Sequence, residues 1–157
     1  MKVREVMNRE IETCSADTDL AGAAMIMWRN DCGVVPVVEA EGKVRGVITD
    51  RDICMAVATQ HRTAESIRAH EIMSKSVHSV RPEDDVRVAL DTMKRVKIRR
   101  VPVTGRDGKI AGMISINDLI LHASDGQRPA GDLTPENLLS VLKSICEHQA
   151  QGARAHA

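Results

Sequence analysis

The sequence predicts a mixed α/β (α+β) fold: two pseudo-symmetric β-α-β-β-α units packed as one module, followed by a C-terminal helix. Three observations carry this expectation. Shifting the sequence by 66 positions aligns residues 5–54 with 71–120 without a gap, and fourteen of the fifty pairs are identical. Each copy holds one stretch with helical apolar spacing, followed by two runs rich in Val and Ile. Between those runs stand "AEGK" and "RDGK", which place Gly42 and Gly108 where a hairpin turn wants positive φ.

The elements follow in order. "EIETCSA" and "SVHSVRP" read as short extended lead-ins. In "DLAGAAMIMWRN", Leu20, Ala23, Ala24 and Met27 share one helical face, as Val86, Ala89, Leu90 and Met93 do in "DVRVALDTMKRV". "VVPVVE" and "RVPVT" are strands, and "KVRGVIT" and "KIAGMIS" return alongside them. A second helix starts at "DRDICMAVAT" in one copy and "INDLILHA" in the other. Neither unit covers its own sheet, so the two are expected to pair about a pseudo-two-fold axis. The boundaries drawn are a first repeat over 1–60, a short polar linker over 61–70, and a second repeat over 71–123. Residues 124–157 then give a loop, a helix and a frayed end. Thr134 is the N-cap of that helix and Pro135 its first residue, while its stripe of Leu138, Leu142 and Ile145 must dock on the domain or on a partner subunit.

Composition removes several function classes. The 22 basic and 22 acidic side chains cancel, leaving no global field toward nucleic acid or anionic lipid. With no Phe or Tyr and a single Trp, Trp28, there is no aromatic platform on which bases could stack. No apolar run suits a membrane span and the N-terminus lacks a signal peptide's apolar stretch, so a cytoplasmic location is expected. No nucleophile-and-base constellation, phosphate loop or metal-ligand helix is visible, and no enzymatic activity is expected. The cysteines form no C-x-x-C pair; Cys14, Cys32 and Cys54 align with Val80, Ile98 and Ile120, which points to core positions. Trp28, aligned with Lys94, marks either a subunit contact or an anchor within the monomer.

Each copy ends with a hydroxyl residue three positions before an aspartate: Thr49 and Asp52, Ser115 and Asp118. On its own this spacing is a near match to a capping box, which stabilises a helix start by about 1 kcal/mol. Together with "VREVM"/"AHEIM", "VVPVV"/"RVPVT" and "EGKVRG"/"DGKIAG", however, "GVITDRD" and "GMISIND" resemble the tandem CBS motifs of a Bateman module, over residues 3 to about 123. The resemblance implies a disc-like module with two clefts between the repeats. It implies adenosine-containing ligands (AMP, ADP, ATP, S-adenosylmethionine or NAD), with the hydroxyl on a phosphate or sugar oxygen and the Asp on the ribose hydroxyls. A stand-alone homodimer that regulates another protein in trans is also implied. The second copy carries Arg99 and Arg100 where the first has Gly33 and Val34, and guanidinium forks match phosphate oxygens. The principal expected site is therefore Arg99, Arg100, Ser115 and Asp118, walled by Val101, Pro102 and Ile114. A second, less charged site is Thr49, Asp52, Val34 and Pro36, with Arg51 partly replacing the missing arginines, and the lead-in around Thr13 and 77–79 offers backbone bonds to an adenine edge. The competing reading is a redox- or stress-associated protein–protein adaptor that binds no nucleotide.

Overall fold

Aspartates start the first helix of both repeats, because their side chains accept the backbone N–H groups that the first helical turn leaves unpaired. In the computed structural model, which describes residues 1–123 and 133–147, Asp19 accepts from Gly22 N at 2.7 Å and heads α1 (Leu20–Arg29). Asp85 does the same for α4 (Val86–Val96), accepting from Arg87 N at 3.0 Å. The buried faces are Leu20, Ala23 and Met27 on α1, and Val86, Ala89, Leu90 and Met93 on α4. Ala24, expected on the first face, is only half-buried. Both helices are followed by a turn through the left-handed region at twin positions, Asp31 (φ 46°) and Lys97 (φ 57°).

In the first repeat β1 (Cys14–Ser15), β2 (Val34–Val38) and β3 (Val44–Thr49) lie in that order, with β1 parallel and β3 antiparallel to β2. In the second, β4 (Arg100–Thr104) pairs antiparallel with β5 (Ile110–Ser115). The lead-in strand expected there is reduced to one parallel bridge, Val80 with Val103. The registers are equivalent: Val34 stands opposite Thr49, and Arg100 opposite Ser115. Gly42 and Gly108 turn the hairpins at φ 82° and 79°. α2 (Asp50–Gln60) and α5 (Ile116–Leu121) leave directly from β3 and β5.

The repeats exchange the segments that precede their lead-ins, residues 1–8 and 67–74. Val3 and Val6, from the start of the chain, are buried in the core of the second repeat with Val86, Met93, Val101 and Ile114. Ile67 and Ala69, from the linker, are buried in the core of the first with Leu20, Val35 and Ile48. The expected polar linker is thus pinned by a fully buried isoleucine, and its end forms the short α3 (Ala69–Ile72). Two glycines make the crossings possible. A Cβ on Gly46 would lie 2.6 Å from the Ser74 carbonyl oxygen, and one on Gly112 would lie 2.5 Å from that of Asn8. Asn8 and Met113 bond reciprocally there at 2.8 and 2.9 Å, and Ser74 N donates to Val47 O at 3.0 Å.

α6 (Pro135–Cys146) begins as expected, with Thr134 as N-cap and Pro135 in its first turn. It docks on the body of this chain: Leu138 and Val141 are buried in the second core, with Leu142 and Ile145 packed beside them. Lys94 on α4 donates to Ser140 at 2.8 Å. The loop expected over 124–132 and the frayed end expected from 150 lie outside the described residues.

The cysteines separate by environment. Cys14 is buried, and burial pushes its thiol up to about 11. Cys32 is half-buried, but Cys54 is exposed, which corrects the core expectation for that residue. The helical register of α2 buries Ala56 and turns Cys54 outward, as its twin Ile120 is 44% exposed. Trp28 is 83% exposed on α1, which rules out an anchor within the monomer among the described residues.

Candidate ligand clefts

Both hydroxyl–x–x–Asp stretches are capping boxes. Thr49 Oγ1 donates to Asp52 Oδ2 at 2.7 Å, Thr49 N donates to the same oxygen at 2.9 Å, and Asp52 N returns a bond to Thr49 Oγ1 at 3.2 Å. Ser115 and Asp118 repeat this at 2.6, 2.7 and 3.2 Å. In each box one carboxylate oxygen takes both bonds. Among the described residues no donor reaches the Oδ1 of Asp52 or Asp118. A cap and a ligand contact are therefore compatible at each aspartate.

Each box opens onto a cavity between the repeats. Thr49 lines one of about 670 Å³, together with Arg51, Ser74, Ser76, Val77, His78, Lys97, Arg99, Arg100 and Pro102. Ser115 and Asp118 line one of about 260 Å³, with Asn8, Glu10, Ile11, Glu12, Asp31, Val34, Pro36, Arg100 and Asn117. Under the 66-residue shift these walls are twins: Ser74 answers Asn8, Lys97 answers Asp31, Pro102 answers Pro36, and Arg51 answers Asn117. Each cavity takes the helix start of one repeat and the lead-in and proline strand of the other.

This crossing corrects the expected grouping. Arg99 and Pro102 face Thr49 rather than Ser115, while Pro36 faces Ser115 rather than Thr49; Val34 and Arg100 line both cavities. Val101 and Ile114 wall neither cavity. The alternation of side chains along β4 and β5 points them into the second core, where both are fully buried. Asp52 is not among the residues lining the Thr49 cavity, whereas Asp118 lines its own. Arg51 does stand with Thr49, and Val77 and His78 of the lead-in line that cavity too; Thr13 lines neither. Asp31, Lys97, Asn8 and Ser74 escape a reading of the sequence because nothing local to them signals chemistry. Only the crossing brings them to a wall.

The twin cavities carry opposite charge. The Thr49 cavity has four cations (Arg51, Lys97, Arg99, Arg100) and one carboxylate, Asp50. The Ser115 cavity has four carboxylates (Glu10, Glu12, Asp31, Asp118) and one cation, Arg100. Glu12 is partly answered by Arg29 at 3.1 Å. Among the described residues Arg99 and Arg100 are within ion-pair distance of no carboxylate. No group of three or more His, Cys, Asp or Glu among the described residues is placed to hold a metal ion, and no helix among them is long and apolar enough to cross a membrane.

Comparison with known proteins agrees with this architecture. The sequence model of the CBS domain matches twice, at residues 3–59 and 69–125. The CBS domain-containing protein YhcV of Bacillus subtilis (strain 168) is 28% identical over 132 residues, covering 84% of this chain and 92% of that protein. A homoserine O-acetyltransferase of Methanohalobium evestigatum is 27% identical over 117 residues; the match covers 74% of this chain but only 23% of the longer relative. Among solved structures, the CBS domain pair of protein MJ0100, in complex with 5′-methylthioadenosine and S-adenosyl-L-methionine, superposes with a TM-score of 0.71 at 23% identity, covering 77% of this chain and 94% of that one. A duplicated β-α-β-β-α unit, exchanged amino-terminal segments, paired inter-repeat cavities and two in-register matches place this chain in the CBS domain family, as a tandem pair.

Proposed function

We propose that this protein is a regulatory module that binds an adenosine-containing ligand in its inter-repeat cavities and passes occupancy to a partner protein through the relative orientation of the repeats. The observation that carries the reading is the doubled site: two cavities, each built from both repeats and each lined by a capped hydroxyl, Thr49 or Ser115, with Asp118 in the second offering an oxygen that no donor among the described residues reaches. A carboxylate oxygen of that kind suits a ribose diol, and the N–H groups of a helix start suit a phosphate. The methylthioadenosine and S-adenosylmethionine bound by the MJ0100 pair support the ligand class. A ligand that touches both repeats holds them in one relation, so its differential affinity sets the signal. The module acts as a cytoplasmic homodimer and is not itself an enzyme.

The test is a calorimetric and thermal-shift panel of AMP, ADP, ATP, S-adenosylmethionine and NAD. A ligand at 100 times its Kd stabilises the fold by about 2.7 kcal/mol. Asp118→Asn keeps an oxygen for the cap and should lose most of the shift from a ligand in the Ser115 cavity. Absence of any shift at millimolar concentration across the panel defeats the proposal.

A further inference from the structure

We infer that the two cavities divide adenosine ligands by charge, and that Arg100, which both of them share, couples their occupancy. This rests on the reading that the cavities bind such ligands. The first observation is the inversion of charge between twin walls: Lys97 stands where the other cavity has Asp31, Arg51 where it has Asn117, and Ser76 and His78 where it has Glu10 and Glu12. A polyphosphate meets four cations beside Thr49, and four carboxylates beside Ser115. The second observation is the position of Arg100. It is the cross-strand neighbour of Ser115, it lines both cavities, and no carboxylate among the described residues holds it by an ion pair. Its twin is Val34, which also lines both cavities. The pair of strand starts at the centre of the module therefore supplies one guanidinium for two sites.

The consequence follows from Coulomb's law in a partly dehydrated cleft. A phosphorylated nucleotide in the Thr49 cavity recruits Arg100 to its phosphates. That withdraws the one cation that the described residues give the walls of the Ser115 cavity and leaves Glu10, Asp31 and Asp118 there without a positive wall residue. The Ser115 cavity then rejects a second polyphosphate and gains affinity for a ligand of net positive charge, such as the sulfonium compound S-adenosylmethionine. The coupling is reciprocal, as linkage requires.

The experiment is isothermal titration of the full chain with ATP and with S-adenosylmethionine, each alone and after saturation with the other. The expected result is one ATP per chain, one S-adenosylmethionine per chain, and a fivefold or greater tightening of each by the other. Arg100→Ala should weaken ATP about tenfold and bring the mutual effect to within twofold of none. The double variant Asp31→Lys with Asn117→Arg alters two exposed positions and gives the Ser115 cavity two cations of its twin; it should gain a second ATP. Two equivalent ATP sites in the unaltered chain, or a mutual effect that survives in Arg100→Ala, would overturn the inference while leaving the proposed function standing. Absence of heat with both compounds would defeat the function and the inference together.

Discussion

Gly112→Ala tests whether the exchanged segments hold the two repeats together. The added Cβ would lie 2.5 Å from the Asn8 carbonyl oxygen and the Met7 sulfur would stand 3.3 Å away. The near atom is backbone and cannot rotate aside, so the N-terminal segment must move. Its reciprocal bonds with Met113, at 2.8 and 2.9 Å, are then lost, at about 1 kcal/mol each. Strain from overpacking adds about 1–3 kcal/mol. The stiffer unfolded chain offsets about 0.4–1 kcal/mol of this. The net expectation is a loss of about 2–4 kcal/mol. Urea unfolding followed by far-ultraviolet circular dichroism reads it directly; Trp28, 83% exposed, is a poor fluorescence probe of folding. With a slope of about 2 kcal/mol/M, the midpoint should fall by about 1–2 M. Gly42→Ala is the control: nothing lies within 4 Å of its Cβ, so only the left-handed turn at φ 82° is strained, costing about 1 kcal/mol. A Gly112→Ala midpoint equal to or above that of the parent chain would refute the close-approach argument.

Leu138→Ala removes a buried anchor of α6 and should cost about 2–4 kcal/mol by the same unfolding assay; a negligible change would mean the helix does not dock on α4 in solution. Under native conditions at pH 8, iodoacetamide followed by mass spectrometry should find Cys54 and Cys146 modified and Cys14 protected, since burial holds that thiol near 11. The Arg62 guanidinium, 2.7 Å away, and the Arg68 backbone N–H hold the Glu71 carboxyl down to about 2. A folded value below the unfolded one contributes stability that is complete above about pH 4.5 and lost as pH falls toward 2. Glu71→Gln should therefore flatten the acid limb of a melting-temperature profile across that window, and an unchanged limb would count against the pair.

The repeat, the helix faces and the hairpin glycines were legible because each depends on spacing within one stretch of chain. Met27 and Met93, or Gly42 and Gly108, carry the same meaning wherever the repeats sit. The caps at Thr49 and Ser115 were legible for the same reason. The walls of the cavities were not. They depend on which repeat faces which helix start, and that is decided by the crossing of residues 1–8 and 67–74 over the two strands. A strand reading also leaves side-chain direction open by one residue, and this misplaced Val101 and Ile114 while leaving Pro102 beside them at a cavity. Ile67, the one large apolar residue in "HRTAESIRAH", gave too little periodicity to reveal a core position. The exposure of Cys54 depended on the register of a helix only its neighbours could fix.

Since Val3 and Val6 complete one core and Ile67 and Ala69 the other, the peptide bonds joining the repeats are not what keeps them together. A chain nicked between His61 and Thr63 would remain one folded body, each fragment gripping the other by its amino-terminal strap. A single repeat expressed alone would lack its borrowed valines or isoleucine. Two such singles, though, could lend their straps to each other about a true two-fold axis. The tandem chain is in this sense a reciprocally strapped dimer whose two halves have been spliced into one polypeptide. Covalent joining left each half free to change its cleft charges without changing the other, which an assembly of identical halves cannot do.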